Sequence, residues 1–180
     1  VTITDGVAPT ISTLAPVVAS NDPGVCGRAR ANVALGTPTA TDNCSTPTIT
    51  NNAPAVFPIG NTTVTWTATD GSSNTATSTQ LVTINDTELP TITAPAALVL
   101  SNETGLCGRN KSTISFGTPV VSDNCAGTTF TNNAPTFLPS GLTVVTWTAT
   151  DAKGNQRSAT QNVTILDTQA PTISTLAAVV

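Results

Sequence analysis

Histidine, methionine and tyrosine are absent from all 180 residues. Without histidine there is no imidazole for general acid/base work, for zinc ligation or for a Ser-His-Asp relay, so three large enzyme classes are excluded by inventory. Lysine and arginine number six together, which removes the basic footprint that nucleic acid or an anionic membrane surface requires. With a formal net charge of -4, a cation is the fitting ionic partner. No apolar run approaches the roughly 18 residues of a membrane-spanning helix. The opening "VTITDGVAP" has neither the basic nor the apolar region of a signal peptide, so an export signal is expected to lie outside this sequence. Charged residues make up 9%, against about 25% in typical soluble domains. Threonine takes their place. β-Branched side chains favour a pleated surface, and this composition predicts strands.

Four cysteines stand at Cys26, Cys44, Cys107 and Cys125, each pair 18 positions apart. The even count and repeated spacing predict disulfides in an oxidising compartment, Cys26 with Cys44 and Cys107 with Cys125.

Shifting the chain by 81 residues aligns it with itself without a gap. Asp5 falls on Asp86 and Asp167, Cys26-Gly27-Arg28 on Cys107-Gly108-Arg109, and Trp66 on Trp147. "TDNC" (41–44) falls on "SDNC" (122–125), and "TVTWTATDGSSN" (63–74) on "VVTWTATDAKGN" (144–155). The period predicts two full repeats, 5–85 and 86–166, with 1–4 as the end of a preceding repeat and 167–180 as the start of a following one. Hydrophobic alternation within each repeat has period two. Val64, Trp66 and Ala68 share a face opposite threonines, as do Val145, Trp147 and Ala149, which makes both tryptophans core anchors. "PTIS", "ANVAL", "TITNN" and "STISF" supply further short strands between Pro, Gly and Asn turns, and the sum predicts a β-sandwich.

The order and spacing of "DTELP" (86–90), "LCGR" (106–109), "SDNC", "LPSG" (138–141), "VVTWTATDAKGN" and "VTILD" (163–167), matched by "DGVAP", "VCGR", "TDNC", "FPIG" and "VTIND" in the first copy, resemble the hyalin repeat, or HYR domain. That resemblance implies all-β, tandem immunoglobulin-like β-sandwich modules with an extracellular, cell-surface role, adhesive or structural. Many family members carry a second cysteine pair joining the opening and closing strands, for which this chain has no cysteines.

In such a sandwich the loop between the last two strands lies where the chain enters the module. Asp70 and Asn74 are then expected near Asp5, and Asp151 and Asn155 near Asp86, with Asp42, Asn43, Asp123 and Asn124 completing the shells. Oxygen-rich clusters of this kind suit calcium, which takes six to eight oxygen ligands, whereas the same residues without metal make Asx-turns. No base stands beside a nucleophile in either copy, so no enzyme is expected. The function expected is a segment of an extracellular, cell-surface fibre or adhesin stalk. Its partners are neighbouring repeats of the same chain and cell-surface glycans or proteins; nucleic acid and membrane insertion are not expected. The alternatives are a carbohydrate- or protein-binding module and an accessory segment of a secreted hydrolase.

Overall fold

A computed structural model describes residues 4–173, in two compact units, Val1–Glu88 and Leu89–Val180. The expected end of a preceding repeat therefore lies, but for Thr4, outside the described residues, as does 174–180 of the expected following one.

The first unit contains β1 (Thr10–Ile11), β2 (Val17–Ser20), β3 (Gly27–Ala29), β4 (Ala40–Thr41), β5 (Thr48–Asn51), β6 (Val56–Pro58), β7 (Gly60–Thr69) and β8 (Thr75–Asn85). The second contains β9 (Thr91–Thr93), β10 (Leu98–Ser101), β11 (Gly108–Asn110), β12 (Val120–Ser122), β13 (Thr129–Asn132), β14 (Phe137–Pro139), β15 (Gly141–Thr150) and β16 (Gln156–Leu166). In each unit a long hairpin anchors a four-stranded sheet, ordered β2-β8-β7-β5 and β10-β16-β15-β13. The first strand of each sheet joins the last in parallel. Short antiparallel pairs, β1-β4 and β3-β6 or β9-β12 and β11-β14, complete the sandwich.

The alternation read from sequence sets the inner face. Val64, Trp66, Val82 and Ile84 form the first core with Phe57, Val33 and Ala53; Val145, Trp147, Val163 and Ile165 form the second with Leu138, Ile114, Phe116 and Ala134. Trp66 is 5% exposed and Trp147 3%, so both are anchors. Each indole has a polar partner. Trp66 Nε1 donates to Gln80 Oε1 (3.3 Å), and Gln80 Nε2 donates in turn to the carbonyls of Ala15 (2.8 Å) and Leu35 (2.9 Å). Gln161 does the same for Trp147, Ala96 and Phe116.

That glutamine explains one departure from expectation. "ANVAL" and "STISF" are not strands: each opens in a 3-10 turn, Arg30–Asn32 or Lys111–Thr113, and continues as irregular extended chain. The carbonyls of Leu35 and Phe116 are capped by a side chain crossing the core, so these segments need no ladder neighbour there.

Each repeat has two poles. β8 runs from Thr75 at the leading pole, beside Asp5 and the loop 70–74, to Asn85 at the trailing pole. There Asn21 N–H donates to Asn85 O (2.9 Å) and Asn21 Oδ1 accepts from Thr87 N–H (3.1 Å). Glu88 Oε2 accepts from Gly24 N–H (2.8 Å), so the chain leaving the repeat is fastened to the repeat it leaves. Asn102, Leu166, Thr168 and Gln169 make the corresponding contacts in the second unit.

Candidate functional site: a carboxylate cluster at the leading pole

The β7–β8 turn is organised by Asp70. Its Oδ1 accepts from the N–H groups of Ser72 and Asn74, both at 2.8 Å, while Oδ2 accepts from Asn74 Nδ2 at 2.8 Å. Asn74 Nδ2 also reaches Asp5 O (3.2 Å), which brings the opening of the repeat against this loop as expected. The β4–β5 loop arrives from a third direction. Asp42 Oδ2 accepts from the N–H groups of Cys44 (3.1 Å) and Ser45 (3.3 Å), and Ser45 Oγ accepts from Gly71 N–H (2.9 Å).

These three loops place carboxylate oxygens of Asp5, Asp42 and Asp70 within 4.8 Å of one another. Asp70 is only 7% exposed. The Asn74 amide, helped by backbone N–H groups of residues 72–74, outweighs burial and holds the Asp70 carboxyl below its ordinary value. Asp42 Oδ1 is buried without a hydrogen-bond partner, and Asp5 Oδ2 has none beyond the adjoining Cys44 thiol. Three carboxylates this close repel one another, and acceptors buried without donors are costly. The cluster thus has the chemistry of a hard-cation site, and Asp5, Asp42 and Asp70 are the residues fit to hold the ion. Its acidity acts on Cys44 too: a hydrogen bond to Asp5, burial and the charges of Asp5, Asp42 and Asp70 push that thiol's pKa up.

Not every expected ligand joins the cluster. Asn43 is exposed and turns its amide toward Cys44 Sγ (3.2 Å). Asn74 uses its amide nitrogen to hold Asp70 and the Asp5 carbonyl. In the second repeat the loop is rebuilt, with Asp151 Oδ1 accepting from Lys153 and Asn155 N–H at 2.8 Å and Oδ2 from Asn155 Nδ2 at 2.7 Å. Burial pushes the Asp151 carboxyl up, but the Asn155 amide and the N–H groups of residues 153–155 win, and its pKa is lowered. Asp123 Oδ2 accepts from Cys125 N–H (3.1 Å), and its Oδ1 is buried without a partner, as in Asp42. Asn124 is half-buried beside Cys125, and Asp86 is buried with Oδ1 accepting from Glu88 N–H (3.2 Å).

The expected cysteine pairs require correction. Cys44 and Cys107 are free, exposed thiols, so neither Cys26–Cys44 nor Cys107–Cys125 is formed. Cys26 follows the turn 22–25 at the trailing pole and Cys44 sits in the carboxylate cluster at the leading pole. The ten residue steps of β8 between those poles span roughly 33 Å, whereas bridged Cα atoms lie within about 7 Å. Equal spacing in sequence concealed opposite ends in space.

The profile of the HYR domain matches residues 5–84 and 85–165, nearly the whole described chain. This chain belongs to the HYR domain family. Hyalin of Lytechinus variegatus is 37% identical over 91% of the chain, and hyalin of Strongylocentrotus purpuratus 35% over 97%. The chain spans only 34% and 15% of those two proteins. A mouse protein with sushi, von Willebrand factor type A, EGF and pentraxin domains is 33% identical over 75% of the chain. Among solved structures, Drosophila N-cadherin EC1-4 has a TM-score of 0.47 at 10% identity, covering 89% of this chain and 50% of that one. Human protocadherin-24 EC1-2 has 0.45 at 12%, covering 91% and 100%. The HYR repeats are tandem, nearly all-β sandwiches, as the sequence predicts. Among the described residues no helix is long and apolar enough to cross a membrane.

Proposed function

We propose that this segment is a noncatalytic spacer in an extracellular, adhesion-related fibre or stalk, and that calcium held by Asp5, Asp42 and Asp70 stiffens the pole through which each repeat receives the chain. Family membership and the likeness to hyalin support an extracellular adhesion-related module. One structural observation carries the spacer reading: the departing chain is fastened to its own repeat by Asn21, Gly24, Thr87 and Glu88, and the short stretch that follows contains Pro90 and no glycine. Proline fixes its own φ and restricts its predecessor, so such a link is stiff where a Gly/Ser linker coils. Glycans or proteins at the cell surface would then be met by other parts of the assembly.

Small-angle scattering of arrays with increasing repeat number tests this. Strands of about eight residues with their loops give an advance of about 35 to 40 Å per repeat, so a thin rod lengthening by that step is expected. Compact particles would overturn the spacer. Calcium is expected to bind saturably and raise the melting temperature, by about 2.7 kcal/mol of stability at a hundredfold excess over Kd. Asp42→Asn, which keeps the side chain's shape but removes the charge and turns one of its two acceptor oxygens into an NH2 donor, is expected to weaken that binding. A chelator that changes neither melting nor scattering would leave the cluster as turn chemistry alone.

A further inference from the structure

The outer face of each four-stranded sheet carries exposed apolar side chains that neither core uses. In the second unit Leu142 is 62% exposed, Val144 51% and Val99 65%. Strand register gathers them. Val144 lies opposite Asn162, and Thr164 lies opposite Leu142 on one side and Val99 on the other. Directly opposed residues on one face have Cβ atoms about 4.5 to 5.5 Å apart, so these three side chains surround Asn162 and Thr164. In the first unit Asn61 lies opposite Thr83, with exposed Leu81 diagonal to it and exposed Val18 on the far side of Thr83. Neither face has charge to keep it in water. The strands of the first sheet hold no charged residue, and those of the second hold only Arg157, in register with inward-facing Ala149. An uncharged sheet face with clustered valine and leucine calls for a cover.

Within each patch stands an Asn-x-Thr sequence, Asn61-Thr62-Thr63 or Asn162-Val163-Thr164. Period two puts the asparagine and the threonine hydroxyl on the same face of the strand. Both asparagines are exposed, and among the described residues neither Nδ2 has a hydrogen-bond partner. Thr83 Oγ1 donates to Asn61 at Oδ1 (2.8 Å), which leaves the amide nitrogen open. Three of the four other Asn-x-Ser/Thr sequences have that nitrogen in use. Asn102 Nδ2 donates to Leu106 O (2.9 Å) and Asp167 Oδ1 (3.2 Å), Asn110 Nδ2 to Glu103 Oε2 (2.7 Å), and Asn43 Nδ2 to Cys44 Sγ (3.2 Å). Asn85 is exposed, but the Asp86 carboxylate inside its sequence repels an anionic donor.

We propose that Asn61 and Asn162 are N-glycosylation sites, and that each attached glycan covers the apolar face of its own sheet. The donor is an oligosaccharide on a lipid diphosphate. Asparagine Nδ2 forms a bond to the anomeric carbon, the anomeric carbon–oxygen bond to the diphosphate breaks, and the amide gives up one proton as the lipid diphosphate leaves. Sugar rings then lay their C–H faces on valine and leucine and turn their hydroxyls to the neighbouring threonines and to water. The proposal rests on the extracellular reading, because export brings the chain to that donor.

The full chain, secreted from cells that hold such donors, tests this. Its intact mass is expected to fall by one glycan in Asn61→Gln and by one in Asn162→Gln, and to keep every glycan in Asn102→Gln and Asn110→Gln. Peptide N-glycosidase leaves Asp where a glycosylated Asn stood, so peptide mass spectra are expected to show that conversion at positions 61 and 162. Unmodified asparagine at both positions in the secreted chain overturns the proposal and leaves the extracellular spacer standing, whereas compact particles in scattering overturn the spacer and not these sites. The cover has its own readout. In the folded Asn61→Gln chain, enzymatic removal of the Asn162 glycan is expected to raise binding of an apolar dye, and Leu142→Ser with Val144→Ser is expected to abolish that rise. Equal dye binding before and after removal overturns the cover and leaves the face to a second copy or another protein.

Discussion

Built on one backbone plan, the two repeats reach the same contacts with different side chains. Phe57, buried in the first core, becomes Leu138 in the second, while Leu35 becomes Phe116 and Ile49 becomes Phe130, whose ring lies 6.0 Å from Trp147. The phenyl lost from β14 is offset in the second core by Phe116, which comes from the irregular segment after the 3-10 turn, while Phe130 stays 40% exposed. Arg30 donates to Asn51 Oδ1 and the Ala53 carbonyl; Lys111 makes the same two contacts with Asn132 and Ala134. Asp22 accepts from Ala29 N–H and the Asn32 amide, and Glu103, one methylene longer, accepts from Thr113 and Asn110. What both repeats keep unchanged marks what the fold cannot replace: the tryptophan with its buried glutamine, the Asp-Asn loop and the glycine after the first cysteine.

The strongest way to break this equivalence is to remove the glutamine from one repeat. Gln161→Leu leaves the Trp147 N–H and the Ala96 and Phe116 carbonyls without their partner. A loss of about 3 kcal/mol is expected in the second repeat alone. Native-state hydrogen exchange, which reports each repeat separately, checks it; Gln80→Leu is expected to reverse the pattern. Equal loss in both repeats would show that they unfold as one unit.

A smaller effect sharpens the comparison at the turn. Ser73 has φ of 71° and is the one non-glycine residue with positive φ among those described, whereas Gly154 holds the matching place at 90°. A left-handed conformation costs a non-glycine residue about 1 to 2 kcal/mol, so Ser73→Gly is expected to stabilise the first repeat by about 1 kcal/mol and Gly154→Ser to destabilise the second by a similar amount. Denaturant titration of the single variants measures both. If Ser73→Gly is neutral, its extra flexibility in the unfolded chain cancels the relief of strain.

The smallest effect separates Asp22 from Glu103. The Ala29 N–H and the Asn32 amide, with Arg28, hold Asp22 below its ordinary value; the Thr113 hydroxyl and Asn110, with Arg109, do the same for Glu103. Because the folded state binds the proton less tightly than the unfolded chain, each group's stabilisation is complete above its ordinary pKa and lost as pH falls through the lowered one. The ordinary values are 3.8 and 4.5, so on acidification the second repeat is expected to start losing this contribution at the higher pH. Both sites face solvent and are screened, which keeps the effect modest. Stability measured against pH for Asp22→Asn and Glu103→Gln, each with its slope flattened in its own repeat, is the check.

Much of this was legible in the residues. Period-two alternation in Val64, Trp66 and Ala68 specifies the inner face, because successive strand side chains must point to opposite sides. The Asp-x-x-x-Asn loop was legible as a turn and as a neighbour of Asp5. Gln80 and Gln161 were missed, although they stand in phase with Val82 and Ile84 or Val163 and Ile165; a polar residue at an inward position was the signal. Leu81, 40% exposed beside buried Gln80, reverses the polarity that pattern reading relies on.

Sequence by itself determined the repeat, its long alternating strands, its buried tryptophans and the residue types gathered at the leading pole, because local alternation and turn chemistry act over a few neighbouring positions. Tertiary structure alone decided which residues share a pole. Asp42 joins Asp5 and Asp70, and Asn43 beside it does not, because one side chain turns inward and the next outward. Cys26 and Cys44, 18 positions apart, lie at opposite ends because the chain between them crosses the length of the sandwich. Distance along a chain that traverses its own fold carries no sign of which end it has reached.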